Sequence, residues 1–262
     1  MNALDVADLT VRYPSGGIPV TAVDAVSFAI GAGEALVLVG GSGSGKTTVA
    51  RTVLGLPGQG AAVSGSVRLD GTELRALDER ALSTVRGRRI GYVPQDPSGS
   101  LDPLRRIGPQ IAEVLRRHRV VEGRGRARAA VPELLSRAGV QEPGRVARSF
   151  PHELSGGLRQ RAAIALAVSC SPGLLVADEP TTALDALVRA EILALFHALR
   201  TERGIALLLV THDLTVARAI GGRTAVMRDG RIVETGDTEQ ILSRPVHPYA
   251  AELVAAEPGV RA

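Results

Sequence analysis

Hydrophobic positions along the chain switch between two spacings. Leu4 to Arg12 reads as a strand, closed by Tyr13-Pro14 and a Ser15-Gly16-Gly17 turn. Val20 to Ile30 alternates as a second strand. Gly31-Ala32-Gly33-Glu34 then turns tightly into Ala35-Leu36-Val37-Leu38-Val39. That apolar run is long enough for a buried parallel strand and too short for most helices. Val63 to Leu69, with the turn Asp70-Gly71, and Ile90 to Val93 predict two further strands, with a short helix over Leu77 to Val85 between them. From Ser100 to about Ser149 the texture changes. Ile107, Ile111, Val114 and Leu115 fall at helical spacing, as do Val131, Leu134, Leu135 and Ala138, so a mainly helical insert is predicted. A Ser-Gly-Gly turn at Ser155 opens an alanine-rich helix to Val168. Leu174 to Ala177 is a short buried strand ending on Asp178-Glu179. A helix over Ala186 to Arg200, a strand over Ile205 to Val210, a helix over Leu214 to Ile220 and a hairpin around Asp229-Gly230 follow. Strands alternating with helices imply an α/β fold with a mostly parallel sheet covered on both faces. Arg244 to Tyr249, taken by itself, leaves open a plain proline-rich tail.

Composition narrows this modestly. A chain of 262 residues with 45% hydrophobic content suits one large domain, or one domain with a subdomain. Its longest apolar stretches, Ala162 to Val168 and Ile205 to Val210, fall far short of the ~20 residues that span a bilayer. The N-terminus has two aspartates, no basic start and no long apolar core, so the expectation is an intracellular protein. The lone Cys170 forms no internal disulfide and no multi-cysteine metal site, and reads as a small apolar residue in a helix. Net charge is +4, with arginine clusters at Arg86, Arg88 and Arg89 and from Arg116 to Arg128. Such runs usually form solvated helix faces. With 2% aromatics and no tryptophan, a base-stacking platform for nucleic acid is not expected. An anionic membrane surface or a loop of a membrane protein stays open as a partner for these arginines.

The candidate chemistry lies in Gly40-Gly41-Ser42-Gly43-Ser44-Gly45-Lys46-Thr47, which fits the phosphate-binding pattern G-x-x-x-x-G-K-[ST]. Glycines let successive N–H groups line one concavity, and the following helix, expected from about Thr47 to Leu54, adds the positive end of its dipole. The plain alternative is a flexible Gly/Ser linker. Lys46 is the only lysine among 31 basic residues, and it stands where a compact ammonium suits a phosphate cradle. Lys46 is expected to reach the β- and γ-phosphates and Thr47 to hold Mg²⁺. Asp178, at the end of an apolar strand, is the expected metal carboxylate, with Glu179 beside it to polarise an attacking water. His212 falls at the carboxyl edge of the sheet, where ligands bind in open α/β folds, though alone it reads as an ordinary capping histidine. Gln95 alone says almost nothing.

Taken together and in order, these residues resemble the nucleotide-binding subunit of ABC transporters over almost the whole chain. Gly40 to Thr47, with Thr48 beyond it, matches the Walker A loop and Tyr13 the aromatic that stacks on adenine. Gln95 matches the Q-loop glutamine, Leu154-Ser155-Gly156-Gly157-Leu158 the signature, Leu174 to Glu179 Walker B with its catalytic glutamate, Ala183-Leu184-Asp185 the D-loop, and His212 the switch histidine. The resemblance implies a P-loop NTPase fold of ABC type, a mostly parallel core sheet with an antiparallel β part and a helical subdomain insert. Its ATPase core would comprise residues 1–95 and 172–236, with a helical subdomain over about 96–171 and a tail over 237–262. It implies ATP and Mg²⁺ as ligands, with Thr47, Asp178 and Gln95 around the metal. Glu179 would be the general base, and His212 and Gln95 would sense the γ-phosphate and align the water.

It further implies a head-to-tail homo- or heterodimer in which Ser155, Gly156 and Gly157 act on the nucleotide held by a second ATP-binding subunit. The other implied partners are two transmembrane permease subunits and, indirectly, an extracytoplasmic substrate-binding protein. The subunit would sit at the cytoplasmic face of the membrane, with no nucleic acid partner. Gln95 to Pro103 resembles the extended Q-loop of the oligopeptide, dipeptide and nickel importers, and Arg244-Pro245-Val246-His247-Pro248-Tyr249 that group's His-Pro-Tyr segment. The reading is therefore an importer ATPase, of peptides first, with a nickel or metallophore importer or a non-transport ABC ATPase as alternatives. Two residues depart from the pattern: Leu158 replaces the usual signature glutamine, and Asp102 a common asparagine.

Overall fold

The structure is a computed structural model, and it describes residues 2–182 and 184–257. Ala183 of the D-loop segment and residues 258–262 of the tail lie outside the described residues.

Ten strands form two sheets among the described residues. They are β1 (Asn2–Tyr13), β2 (Val20–Gly31), β3 (Ala35–Val39), β4 (Ala62–Leu69), β5 (Thr72–Glu73), β6 (Ile90–Val93), β7 (Leu174–Asp178), β8 (Ala206–Thr211), β9 (Arg223–Arg228) and β10 (Arg231–Asp237). A four-stranded antiparallel sheet runs β2-β1-β4-β5, and a six-stranded sheet runs β10-β9-β3-β8-β7-β6. Strands β9, β3, β8, β7 and β6 are parallel, and only β10 is antiparallel. Every residue of β3, β7 and β8 is buried, which is why these strands read as continuous apolar runs rather than alternating ones.

The helices are α1 (Lys46–Val53), α2 (Glu79–Val85), α3 (Ile107–Arg117), α4 (Arg124–Arg137), α5 (Pro143–Arg148), α6 (Gly156–Val168), α7 (Ala186–Arg203), α8 (Leu214–Ile220), α9 (Thr238–Ser243) and α10 (Pro248–Ala256). One core cluster joins α1 and one face of the six-stranded sheet to the antiparallel sheet (Leu4, Leu9, Ile30, Leu36, Leu38, Val49). A second covers the opposite face beneath α6 to α10 (Val37, Val39, Ile164, Phe196, Leu207, Val254). A third lies wholly within the helical region (Ile107, Ile111, Leu115, Val131, Leu135, Ala165).

The last stretch carries two helices, α9 before the proline-rich residues 244–249 and α10 starting within them. Asp237 caps α9 through the Glu239 N–H, and His247 caps α10, its Nδ1 accepting the Tyr249 N–H at 3.1 Å, with Pro248 at the first helical position. Proline here starts a helix, whereas composition alone reads it as a breaker. The signature helix and the helix that follows β7 begin where their caps stand: Ser155 Oγ accepts the Leu158 N–H at the start of α6, and Asp185 Oδ1 the Val188 N–H at the start of α7.

Candidate active site

Four adjacent parallel strands, β3, β8, β7 and β6, deliver the candidate residues to one edge of the sheet. Their carboxyl ends carry, in that order, the phosphate loop, His212, Asp178-Glu179 and Gln95. A cleft of about 710 Å³ opens there, lined by Gly41 to Thr48, Gln95, Glu179, His212 and Ala22 of β2.

The loop takes its shape from close backbone contacts. A Cβ on Gly40 would come 2.2 Å from the Met227 carbonyl oxygen, and one on Gly45, where φ is +101°, 2.3 Å from that of Ala22. Only glycine fits either position. The hairpin between β9 and β10 backs the loop: the Gly230 N–H donates to the Ser44 carbonyl at 3.1 Å, and Asp24 of β2 donates its N–H to Gly230 at 2.9 Å. Helix α1 starts at Gly45 with no side-chain cap and no acidic residue in its first turn. Its leading N–H groups and dipole thus face the cleft with no carboxylate of the helix's own first turn among them.

Lys46 is 6% exposed, and its ammonium donates to the carbonyls of Gly40 and Gly41 at 2.9 Å each and to Ser44 Oγ at 3.1 Å. Burial lowers its pKa, against the opposing charges of Glu179 and Asp178. The Thr47 hydroxyl donates to Asp178 Oδ1 at 3.0 Å. Asp178 is 3% exposed, and burial pushes its carboxyl above the usual range. The Thr47 hydrogen bond lowers it, the Glu179 charge raises it further, and Arg51 and Lys46 pull it back. A buried carboxylate whose charge is disfavoured, hydrogen-bonded to the threonine hydroxyl that lines the phosphate cradle, fits a divalent cation. Among the described residues no group of three or more His, Cys, Asp and Glu side chains could hold a metal. A cation here would therefore complete its shell with phosphate oxygens and water, as Mg²⁺ does.

Glu179 is the hub of the far side of the cleft. His212 Nδ1 lies 3.1 Å from its Oε1, while the Thr182 hydroxyl and the Gln95 amide nitrogen donate to Oε2 at 3.0 and 3.3 Å. Its backbone has φ +46°, a left-handed conformation that a non-glycine residue seldom adopts, and its N–H is held by the Val210 carbonyl at 2.8 Å. The kink turns Glu179 off the line of β7 toward His212, which follows the end of the neighbouring strand β8.

The remaining candidates stand apart from this cleft. Tyr13 does not line it; its hydroxyl donates to the Pro57 carbonyl and its ring lies against Gly58. Ser155 and Gly156 are exposed at the start of α6 and Gly157 packs on Val188. Asp185 is exposed and caps α7. Leu158 is half-buried against the helical cluster, where the usual glutamine would meet an apolar wall. Sequence reasoning missed Thr182 and Ala22. It noted Tyr249 only as part of a family segment, yet the Gly41 N–H donates to the Tyr249 hydroxyl at 3.0 Å.

The fold and this edge define a phosphate-binding α/β cassette. The ABC transporter family profile matches residues 23–182, and the chain belongs to that family. It is 47% identical to the peptidoglycan transport ATP-binding protein YejF of Agrobacterium fabrum, over 97% of this chain and 47% of that protein. It is 40% identical to the oligopeptide transport ATP-binding protein OppD of Bacillus subtilis, over 97% of this chain and 72% of that one. The chain thus spans about half the length of the first of these relatives. A dimeric structure of the ATP-binding cassette MJ0796, in a post-hydrolysis state with ADP and Pi, superposes with a TM-score of 0.80 at 31% identity, covering 90% of this chain and 98% of that one.

Proposed function

We propose that this chain is an ATP-binding and ATP-hydrolysing subunit that powers an ABC importer of peptides. The observation that carries the reading is the shared cleft: a phosphate loop with Lys46 and Thr47 on one wall, and a glutamate held by Gln95, Thr182 and His212 on the other. In it, the loop N–H groups and Lys46 bind the phosphates, and Thr47 and Asp178 hold Mg²⁺. When bound, the metal neutralises charge on the β- and γ-phosphates. Glu179 takes the proton of the attacking water, and Gln95 and His212 orient the carboxylate and meet the γ-phosphate. Tyr13, near the end of β1, receives the adenine in this reading. The amide oxygen of Gln95 is the group that would join the metal shell.

Ser155, Gly156 and Gly157 lie outside the cleft of their own chain, so their part is played on the nucleotide of a second ATP-binding subunit, with Asp185 near the same joint. The dimeric state of the MJ0796 cassette supports that assembly. The relatives' names, a peptidoglycan transport and an oligopeptide transport ATP-binding protein, support a transport role with a peptide-containing substrate; in this reading the chain docks on membrane permease subunits at the cytoplasmic face. No helix among the described residues is long and apolar enough to cross a membrane. The test is equilibrium binding of MgATP to a Glu179→Gln chain, which slows turnover during the titration. Binding that is lost on adding Lys46→Ala supports the reading; binding indifferent to Lys46 overturns it.

A further inference from the structure

The C-terminal segment is laid across the carboxyl edge of the sheet and touches the phosphate loop. The Glu234 carboxylate on β10 takes the N–H groups of Val246 and His247 at 2.9 and 2.8 Å. His247 then caps α10, and in the first turn of that helix Tyr249 sends its hydroxyl 3.0 Å from the Gly41 nitrogen, 208 residues away in sequence. The Arg228 guanidinium lies 4.7 Å from the centre of the Tyr249 ring and fixes its plane from the other side. At the far end of the helix Glu257 accepts the Leu214 N–H at 2.9 Å.

We propose that Tyr249 is a positioning residue for nucleotide binding, acting by locking the orientation of the Gly40–Gly41 peptide. This rests on the nucleotide-binding reading above. The Gly40 carbonyl and the Gly41 N–H belong to one trans peptide, so they point in opposite directions. The carbonyl accepts from Lys46 and the N–H donates to Tyr249. With glycine on both sides, no Cβ resists a flip of this peptide, and the local chain does not choose its orientation. The tyrosine hydroxyl makes that choice. It holds the N–H outward, keeps the carbonyl turned to Lys46, and so sets where the only lysine of the chain presents its ammonium. Released, the peptide would sample both orientations, and nucleotide would bind only the competent fraction.

The experiment is a calorimetric titration of MgADP, which is not turned over, into the full chain and its Tyr249→Phe variant, with the nucleotide-free melting temperature of each. Phenylalanine keeps the ring beneath Arg228 and removes only the acceptor. The expected result is roughly fivefold weaker MgADP binding, the scale of one neutral hydrogen bond, with melting lowered by no more than about 3 °C. Glu257→Ala loosens the same helix at its other end without touching Gly41, and should leave MgADP affinity unchanged. Equal affinity of Tyr249→Phe and wild type overturns the proposal, as does an equal loss in Glu257→Ala, which would make the effect general loosening. A wild-type chain that binds no MgADP overturns the nucleotide-binding reading itself, and the inference with it.

Discussion

The Thr47 hydroxyl stands 3.0 Å from Asp178 Oδ1, joining the first turn of α1 to the end of β7. This single hydrogen bond closes the floor of the cleft and marks where a cation would sit. Thr47→Val keeps the shape and removes the oxygen. Mg²⁺-dependent nucleotide affinity should fall about tenfold or more, on the scale of losing a group that holds a metal. Affinity measured in EDTA should change much less. Titration with and without Mg²⁺ separates the two.

Asp178 carries a sign that can be checked. Burial first, and the Glu179 charge after the Thr47 hydrogen bond, leave its folded pKa above the unfolded value. The nucleotide-free folded chain therefore binds this proton more tightly than the unfolded chain. The penalty is present above the folded pKa and is relieved as pH falls through it. Asp178→Asn, which can still accept from Thr47, should melt higher than wild type at neutral pH, with the gap closing as the medium is acidified. Adding MgATP should reverse the order, because wild type alone gains the metal-linked stabilisation. A variant that melts below wild type at neutral pH without nucleotide would contradict the assignment.

Two glycines of the loop should behave differently. Gly45→Ala meets the Ala22 carbonyl 2.3 Å from its new Cβ at φ +101°, so the loop must move. A loss of at least ~2 kcal/mol and of nucleotide binding is expected. Gly43→Ala has nothing within 4 Å and pays only for φ +78°, about 1 kcal/mol. Denaturant unfolding of the two variants measures the difference.

Leu158 marks the other departure from the family pattern. Half-buried against the helical cluster, it should tolerate Leu158→Gln at about 1 kcal/mol of lost burial. Affinity of the isolated chain for MgATP should not change, since the residue lies outside the cleft of its own chain. Chemical denaturation and the binding titration check both parts.

Much of this site is legible in the chain because its chemistry is local. The phosphate loop, Asp178-Glu179 and His212 each follow a short apolar run, and a parallel sheet brings the ends of such runs to one edge. The helical insert is legible from Ile107, Ile111 and Leu115, whose spacing matches the buried face of α3. What was not legible depends on distant contacts. Thr182 matters only because Glu179 turns back with φ +46°. Ala22 lines the cleft because β2 happens to pass beside Gly45. Tyr249 reaches Gly41 only because Glu234 anchors the preceding turn. The tail reads as irregular because Pro245 and Pro248 hide a helix that His247 caps.

The most direct test of the central reading is ATP turnover by the purified chain as its concentration is varied, beside Glu179→Gln. The predicted result is turnover that falls at least ~100-fold in Glu179→Gln while MgATP still binds, rising faster than linearly with chain concentration where the second ATP-binding subunit is another copy of this chain and staying flat where it is a different one. Turnover that Glu179→Gln leaves near the wild-type rate would remove Glu179 from the chemistry and contradict the account.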